Sequence, residues 1–129
     1  MMRDPDAKHL DFADLVGLIP TNPKLLPSNL DMVYERRGHF LLCEWKREGE
    51  SVSKGQEILL RALAAQPSFI VLLVTGDTDD GMRVSSVAQL SADGSLRPKG
   101  TDVDDLKSLI SRWYLWVEMK CGGRYAASI

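Results

Sequence analysis

The hydrophobic and polar positions along the chain change period several times, and each change predicts an element. From Asp6 to Ile19 the apolar side chains mostly recur at helical spacing, with aspartates near the start, where a helix dipole favours negative charge. Pro20 would end this helix. The segment TNPKLLPSN, residues 21–29, holds two prolines and two asparagines and therefore predicts a loop.

The next stretch follows the period of two that is typical of strands. Two runs rich in β-forming residues, Asp31–Glu35 and Phe40–Lys46, are separated by a short segment that contains Gly38. This layout predicts a hairpin with glycine at its turn. Ser53 then predicts the N-cap of an apolar helix that ends before Pro67.

The second half of the chain predicts two strands and a long helix. The nearly unbroken apolar run SFIVLLVTGD, residues 68–77, is typical of a central strand that is buried on both faces. Arg83–Leu90 predicts another strand, and residues 91–100 predict a turn-rich connection. Thr101 would cap an amphipathic helix over residues 102–120, and residues 121–129 would form a loose tail.

The order of these elements predicts an α/β or α+β fold with a mixed central sheet flanked by helices. A chain of 129 residues, 44% hydrophobic and 26% charged, suits a single domain over residues 1–129. Its core would lie at about residues 8–90, with the C-terminal helix packed against it.

Two charged side chains, Glu44 and Lys46, interrupt the apolar second strand of the hairpin. Because side chains alternate across a strand, both lie on one face. A tight turn near Gly38 would bring Asp31 beside them, so that two carboxylates and one ammonium converge. Carboxylate oxygens suit Mg²⁺, and a nearby lysine stabilises charge that grows on a phosphoryl group. The pattern therefore indicates phosphodiester hydrolysis.

The same residues resemble the PD-(D/E)XK nuclease superfamily, and within it the VRR-NUC and Holliday-junction-resolvase-like branches. The resemblance covers residues 28–76 and rests on Asp31, on the E-x-K element Glu44 to Lys46, and on Gln56 at the start of the next helix. It implies a restriction-endonuclease-like core in which Asp31 and Glu44 bind Mg²⁺, or Mn²⁺ as a substitute. It also implies that Lys46 assists the attacking water and that Gln56 supports the site.

Some positions depart from the family pattern or have simpler explanations. Leu30 replaces the family's proline, and Asp14 is the candidate for the acidic residue that members often add from the first helix. Without the resemblance, Glu44 and Lys46 would be read as an exposed ion pair on an edge strand. Gln56 would likewise be read as the partner of the helix cap.

Basic and aromatic residues are the candidates for contacts with DNA. The net charge of −2 means that such contacts come from local patches rather than from the overall charge. Trp113, Tyr114 and Trp116 would stack on bases, although a core or subunit contact is the commoner role of such a cluster. Six basic residues either form a phosphate-binding rim around the site or simply lie on a solvated face: Lys24, Arg36, Arg37, Arg47, Lys54 and Arg61.

The sequence thus predicts a metal-dependent DNA endonuclease, selective for a DNA structure such as a branched duplex and acting as a homodimer or higher homo-oligomer. The alternatives are an inactive nuclease-fold module that binds DNA or protein, and a sequence-specific restriction or homing enzyme. The chain shows no signal sequence and no run of ~20 apolar residues. We therefore expect a cytoplasmic or nucleoid-associated protein without a membrane partner, and its compact size fits a phage gene.

Overall fold

A computed structural model describes residues 12–128 of the chain and the side chains of residues 12–121. After a short 3-10 turn at Ala13–Leu15, five strands and two helices follow. Their bounds are β1 Met32–Arg36, β2 His39–Lys46, α1 Lys54–Ala64, β3 Phe69–Asp77, β4 Arg83–Leu90, β5 Leu96–Gly100 and α2 Val103–Ser128.

The five strands form one mixed sheet in sequential order, β1-β2-β3-β4-β5. Strands β2 and β3 are parallel and joined through α1, whereas the other neighbouring strands are antiparallel. The predicted α/β class is therefore confirmed, and the apolar strand β3 lies at the centre of the sheet as predicted. The site is built at one end of this β2-α1-β3 unit.

The hairpin is confirmed, and its turn explains its register. Arg37 and Gly38 both have positive φ, 51° and 79°, which is the backbone that a two-residue type I′ loop requires. Pairing therefore starts at Arg36 with His39 and runs to Met32 with Cys43. Every residue of β1 is fixed relative to β2 by this turn.

The core occupies both faces of the sheet. On one face, α1 packs over Leu42, Val71 and Leu90 through its buried Leu60. On the other face, α2 packs through Leu106, Trp113 and Val117. Trp113 is thus a core residue, while Tyr114 and Trp116 are exposed. Residues of the sheet face that α2 covers complete this second cluster: Leu41, Cys43, Leu72, Val74 and Val87.

The predicted N-terminal helix is wrong over the residues that the structure describes. Only Ala13–Leu15 forms a turn of 3-10 helix, while residues 6–11 of the prediction lie outside the described part. Gly17 has a φ of 78°, which a right-handed helix does not accommodate, and its N–H donates to the Pro23 carbonyl. Four apolar side chains of this segment are exposed, so they form no packed face that would support a helix: Leu15, Val16, Leu18 and Ile19.

The turn-rich connection predicted for residues 91–100 is wrong in its second half, because Leu96–Gly100 forms the edge strand β5. A tight turn with Gly94 at a φ of 90° precedes it. Pro98 pairs with Ala88 at the edge of the sheet, which is where a residue without an N–H is tolerated. Gly94 and Pro98 therefore led the sequence pattern to predict a turn where β5 forms a strand.

The long C-terminal helix is confirmed, but its cap and its end differ from the prediction. Asp102 rather than Thr101 caps it, since the Asp105 N–H donates to Asp102 Oδ1 at 2.8 Å. The helix continues through Ser128, so the expected loose tail is helical over residues 121–128. Gly122 and Gly123 disfavour a helix, yet an existing helix gains a hydrogen bond with each added residue. Among the described helices, neither α1 nor α2 is both long and apolar enough to cross a membrane.

Candidate functional site

The open end of the hairpin brings the two predicted carboxylates together. The register that pairs Met32 with Cys43 places Asp31 opposite Glu44, one position away from the partner expected for a turn centred on Gly38. Asp31 Oδ2 accepts a hydrogen bond from the Trp45 N–H at 2.8 Å. This bond fixes the Asp31 side chain over the end of β2, and its carboxylate lies close to that of Glu44.

Glu44 is the buried member of the pair, with only 2% of its surface exposed. Its Oε2 accepts a hydrogen bond from Gln56 Nε2 at 3.2 Å, whereas its Oε1 has no hydrogen-bond partner among the described residues. Burial first, and the adjacent Asp31 carboxylate second, raise the pKa of Glu44 to about 8, and Lys46 opposes this rise. A desolvated carboxyl group that has an unpartnered oxygen and lies beside a second carboxylate favours the binding of a cation.

Gln56 joins the two charges of the E-x-K element. Lys46 Nζ donates to Gln56 Oε1 at 2.8 Å, while the amide nitrogen of the same side chain donates to Glu44. The backbone N–H of Gln56 also donates to Ser53 Oγ at 3.2 Å, as a helix cap requires. The backbone of Gln56 therefore completes the helix cap, while its side chain bridges Lys46 and Glu44.

The simpler interpretation of Glu44 and Lys46 as an exposed edge-strand ion pair is wrong. Strand β2 lies between β1 and β3 rather than at an edge, and Glu44 is buried. The two side chains are linked through an amide group instead of meeting in water.

The site opens onto a cleft of about 500 Å³. Asp31 and Lys46 line this cleft, whereas the buried Glu44 does not. The other walls come from the turn after β2, from the end of β3 and from the loop after it. The lining residues are Asp31, Met32, Trp45, Lys46, Arg47, Glu50, Gly76, Asp77, Thr78 and Met82.

The ligand set that the protein offers to a metal consists of two carboxylates. Within the described residues, no three His, Cys, Asp or Glu side chains form a group that would hold a metal ion. Asp31 and Glu44 nevertheless suit Mg²⁺, which keeps several waters and is usually held by one or two carboxylates together with substrate phosphates. The absence of a hydrogen-bond partner for the buried Glu44 Oε1 among the described residues supports this fit.

The acidic residue from the first helix is not found where it was expected. Asp14 is exposed in the 3-10 turn, because the helix that would have carried it does not form. Sequence reasoning missed Glu50, which lines the cleft and contributes to the raised pKa of Glu44. The signal was Gly49, which with a φ of 78° turns the chain back after β2.

The predicted basic rim divides by position. Arg47 lines the cleft, and Lys54 is exposed at the first residue of α1. Arg61 lies in the last turn of that helix, where its Nε donates to the Ala92 carbonyl at 3.0 Å. Lys24 is exposed in the loop before β1.

The sequence suggested that Arg36 and Arg37 lie around the carboxylates, but the structure places them elsewhere. They lie at the turn of the hairpin, roughly 17 Å along the strand from Asp31. Both contact Glu118 of α2, with distances from Nε to Oε1 of 2.5 Å and 3.0 Å. Any contact they make with DNA would therefore be remote from the site.

Comparison of the chain with protein-family models, curated proteins and solved structures gave no match.

Proposed function

We propose that the chain is a metal-dependent DNA endonuclease of the PD-(D/E)XK type, which hydrolyses phosphodiester bonds. The observation that carries this proposal is the buried Glu44, whose carboxyl group lies close to Asp31. Its Oε1 has no hydrogen-bond partner among the described residues, and its Oε2 is linked through Gln56 to Lys46. A carboxylate and a lysine that line a cleft, with a second, buried carboxylate next to them, are the groups that this reaction uses.

Asp31 and Glu44 would hold the metal ion in this proposal. A bound Mg²⁺ supplies a Lewis acid for the phosphate and lowers the pKa of an attacking water. Asp31 is oriented for this role by its bond to the Trp45 N–H, and Glu44 by its bond to Gln56. Both carboxylates are thus held by neighbours before any ligand arrives.

Lys46 would stabilise the charge that develops on the phosphate. Its ammonium group uses one donor for Gln56 Oε1 and has further N–H groups for a phosphate oxygen or for the attacking water. The partly buried setting strengthens such interactions, because less water screens them. Gln56 positions the catalytic residues, since it holds Lys46 and Glu44 at the same time.

The proposed substrate is a DNA structure, such as a branched or flapped duplex, and the enzyme would act as a homo-oligomer. The described elements form one sheet with a helix on each face. None of them is left to build a separate module that reads a base sequence in the major groove. A sequence-specific enzyme would need loops or a second copy for that purpose.

The test is cleavage of labelled duplex, single-stranded and branched DNA in Mg²⁺ or Mn²⁺. We expect Glu44→Ala and Lys46→Ala to lower the rate by at least about 10²-fold. Glu118→Gln is the matched control, because it removes a carboxylate at the far end of the hairpin. Equal rates for all variants, or no cleavage of any substrate by the wild type, would remove the proposal. Tight DNA binding without cleavage would instead favour the inactive binding module.

A further inference from the structure

Arg47 follows Lys46 at the end of β2 and lines the cleft, and an acidic residue holds its side chain. Its Nη1 lies 2.5 Å from Asp79 Oδ2, and its Nη2 donates to Asp79 Oδ1 at 2.8 Å. The guanidinium group therefore grips both oxygens of one carboxylate. The pair is open to solvent, since the two side chains are 57% and 54% exposed.

This pair connects two walls of the cleft. Arg47 belongs to the turn after β2, where its N–H donates to Glu50 Oε1 and its carbonyl accepts from the Glu50 N–H. Asp79 belongs to the loop between β3 and β4, whose Thr78 and Met82 also line the cleft. The backbone of Arg47 is thus held by its own turn, while its side chain reaches the other wall.

The geometry of the pair matches the recognition of phosphate. A guanidinium group binds carboxylate and phosphate through the same two parallel hydrogen bonds. The Asp79 carboxylate therefore lies where two oxygens of a phosphate would bind Arg47. An ion pair this exposed is held weakly in water, so a phosphate is able to displace the carboxylate.

We propose that Arg47 is a phosphate-binding residue of the cleft, in addition to Lys46, and that Asp79 is a phosphate surrogate, which occupies Arg47 until a nucleic-acid phosphate displaces it. This inference rests on the proposed function, because it takes the ligand to be DNA. Each phosphodiester ligand that binds Arg47 first has to displace the carboxylate, so Asp79 weakens the binding of all DNA.

The experiment measures the binding of fluorescein-labelled duplex and four-way-junction DNA by anisotropy, in EDTA and over a range of KCl concentrations. The variants are Asp79→Asn, Arg47→Ala and the double variant. Asp80→Asn is the matched control, because it removes the same charge from the next, exposed position of the same loop. Thermal denaturation of each variant establishes that it is folded.

We expect Asp79→Asn to tighten binding about two- to fivefold, whereas Asp80→Asn changes it by no more than about twofold. Arg47→Ala weakens binding, and adding Asp79→Asn to it brings no gain. Arg47→Ala should also lessen the dependence of log affinity on log salt by about 0.9, because one contact with a phosphate is lost.

Two results would overturn the inference alone. One is an equal gain from Asp79→Asn and Asp80→Asn, which would indicate a general charge effect. The other is a gain that persists when Arg47 is absent, which would show that Asp79 acts elsewhere. If the wild type and Asp79→Asn neither bind nor cleave DNA, the proposed function falls and the inference falls with it. Cleavage by the wild type without coupling between Arg47 and Asp79 removes only the inference.

Discussion

The two ends of the β1–β2 hairpin each hold a glutamate among charged neighbours, and the two glutamates behave in opposite ways. At the turn, Glu118 accepts hydrogen bonds from Arg37 and Arg36, which lower its pKa to about 2. At the open end, Glu44 is buried beside Asp31, and its pKa is raised to about 8. One carboxylate is neutralised by its own neighbours, and the other lies beside a second negative charge.

This difference shows that environment, rather than residue type, indicates a functional site. At the turn, the Glu118 carboxylate is paired with the guanidinium groups of Arg36 and Arg37. At the open end, Glu44 has no such ion pair among the described residues, because Lys46 contacts the Gln56 amide instead. An added cation would therefore stabilise the open end and leave the turn unchanged.

The largest expected effect separates the two ends by activity. Asp31→Asn should lower turnover by about 10³-fold, because it removes a proposed metal ligand. Arg36→Ala combined with Arg37→Ala should leave kcat unchanged and raise KM, because these residues are remote from the reacting phosphate. Steady-state cleavage of branched DNA measures both constants. Loss of kcat in the arginine variant would break the distinction between the two ends.

The pH dependence of stability should differ in sign between the two glutamates. The folded chain keeps the proton of Glu44 up to about pH 8, whereas the unfolded chain loses it near its ordinary pKa of 4.5. Raising the pH through this window therefore favours unfolding and lowers the free energy of unfolding by several kcal/mol. Glu44→Gln should remove this fall, as measured by urea denaturation on either side of the window.

Glu118 supplies the control for that prediction. Its lowered pKa means that its contribution to stability is present above the ordinary pKa of 4.5 and is lost as the pH falls toward about 2. Glu118→Gln should therefore destabilise the protein at neutral pH and make no difference in strong acid. A wild-type curve that stays flat between pH 4.5 and 8 would contradict the assignment of Glu44 as a buried, destabilised anion.

Metal binding should stabilise the protein through the open end alone. A free Mn²⁺ concentration of about 100 times Kd raises the free energy of unfolding by about 2.7 kcal/mol. Asp31→Asn should abolish this gain and Glu118→Gln should retain it, as thermal denaturation with and without Mn²⁺ will show. The gain should be larger at pH 8 than at pH 6, because the ion displaces the proton of Glu44. Equal gains in both variants would place the cation elsewhere.

The smallest expected effect concerns the helix cap that supports the open end. Ser53→Ala should lower the free energy of unfolding by about 1 kcal/mol, because the Gln56 N–H loses its acceptor. Ser51→Ala in the same loop is the control and should change stability by less than about 0.5 kcal/mol. Urea denaturation compares the two, and equal losses would mean that the cap does not matter.

Much of the site was predictable because it depends on alternation and on a tight turn. The period of two placed Glu44 and Lys46 on one face, and a glycine turn brought Asp31 to them within one position of the true register. Glu50 and Asp79 were not predictable in this way. Both lie on loops after strands, where no periodic pattern fixes the path of the chain.

The errors in the fold have similar causes. The apolar spacing before Pro20 satisfied a helical template, but Gly17 adopts a φ that a helix excludes. Strand β5 was hidden by Pro98, which an edge strand tolerates and a central strand does not. Spacing therefore predicted the elements that are packed on the sheet and failed for those that lie at its margin.

The position of Gln56 in the first turn of α1 links the assembly of the site to the local opening of a helix. Its backbone N–H donates to the cap residue Ser53, and its side chain bridges Lys46 and Glu44. Fraying of this single turn would release both charges at once, although the rest of α1 and the sheet remained folded. The exchange of the Gln56 amide hydrogen with solvent would therefore report, at one atom, how often the site is assembled.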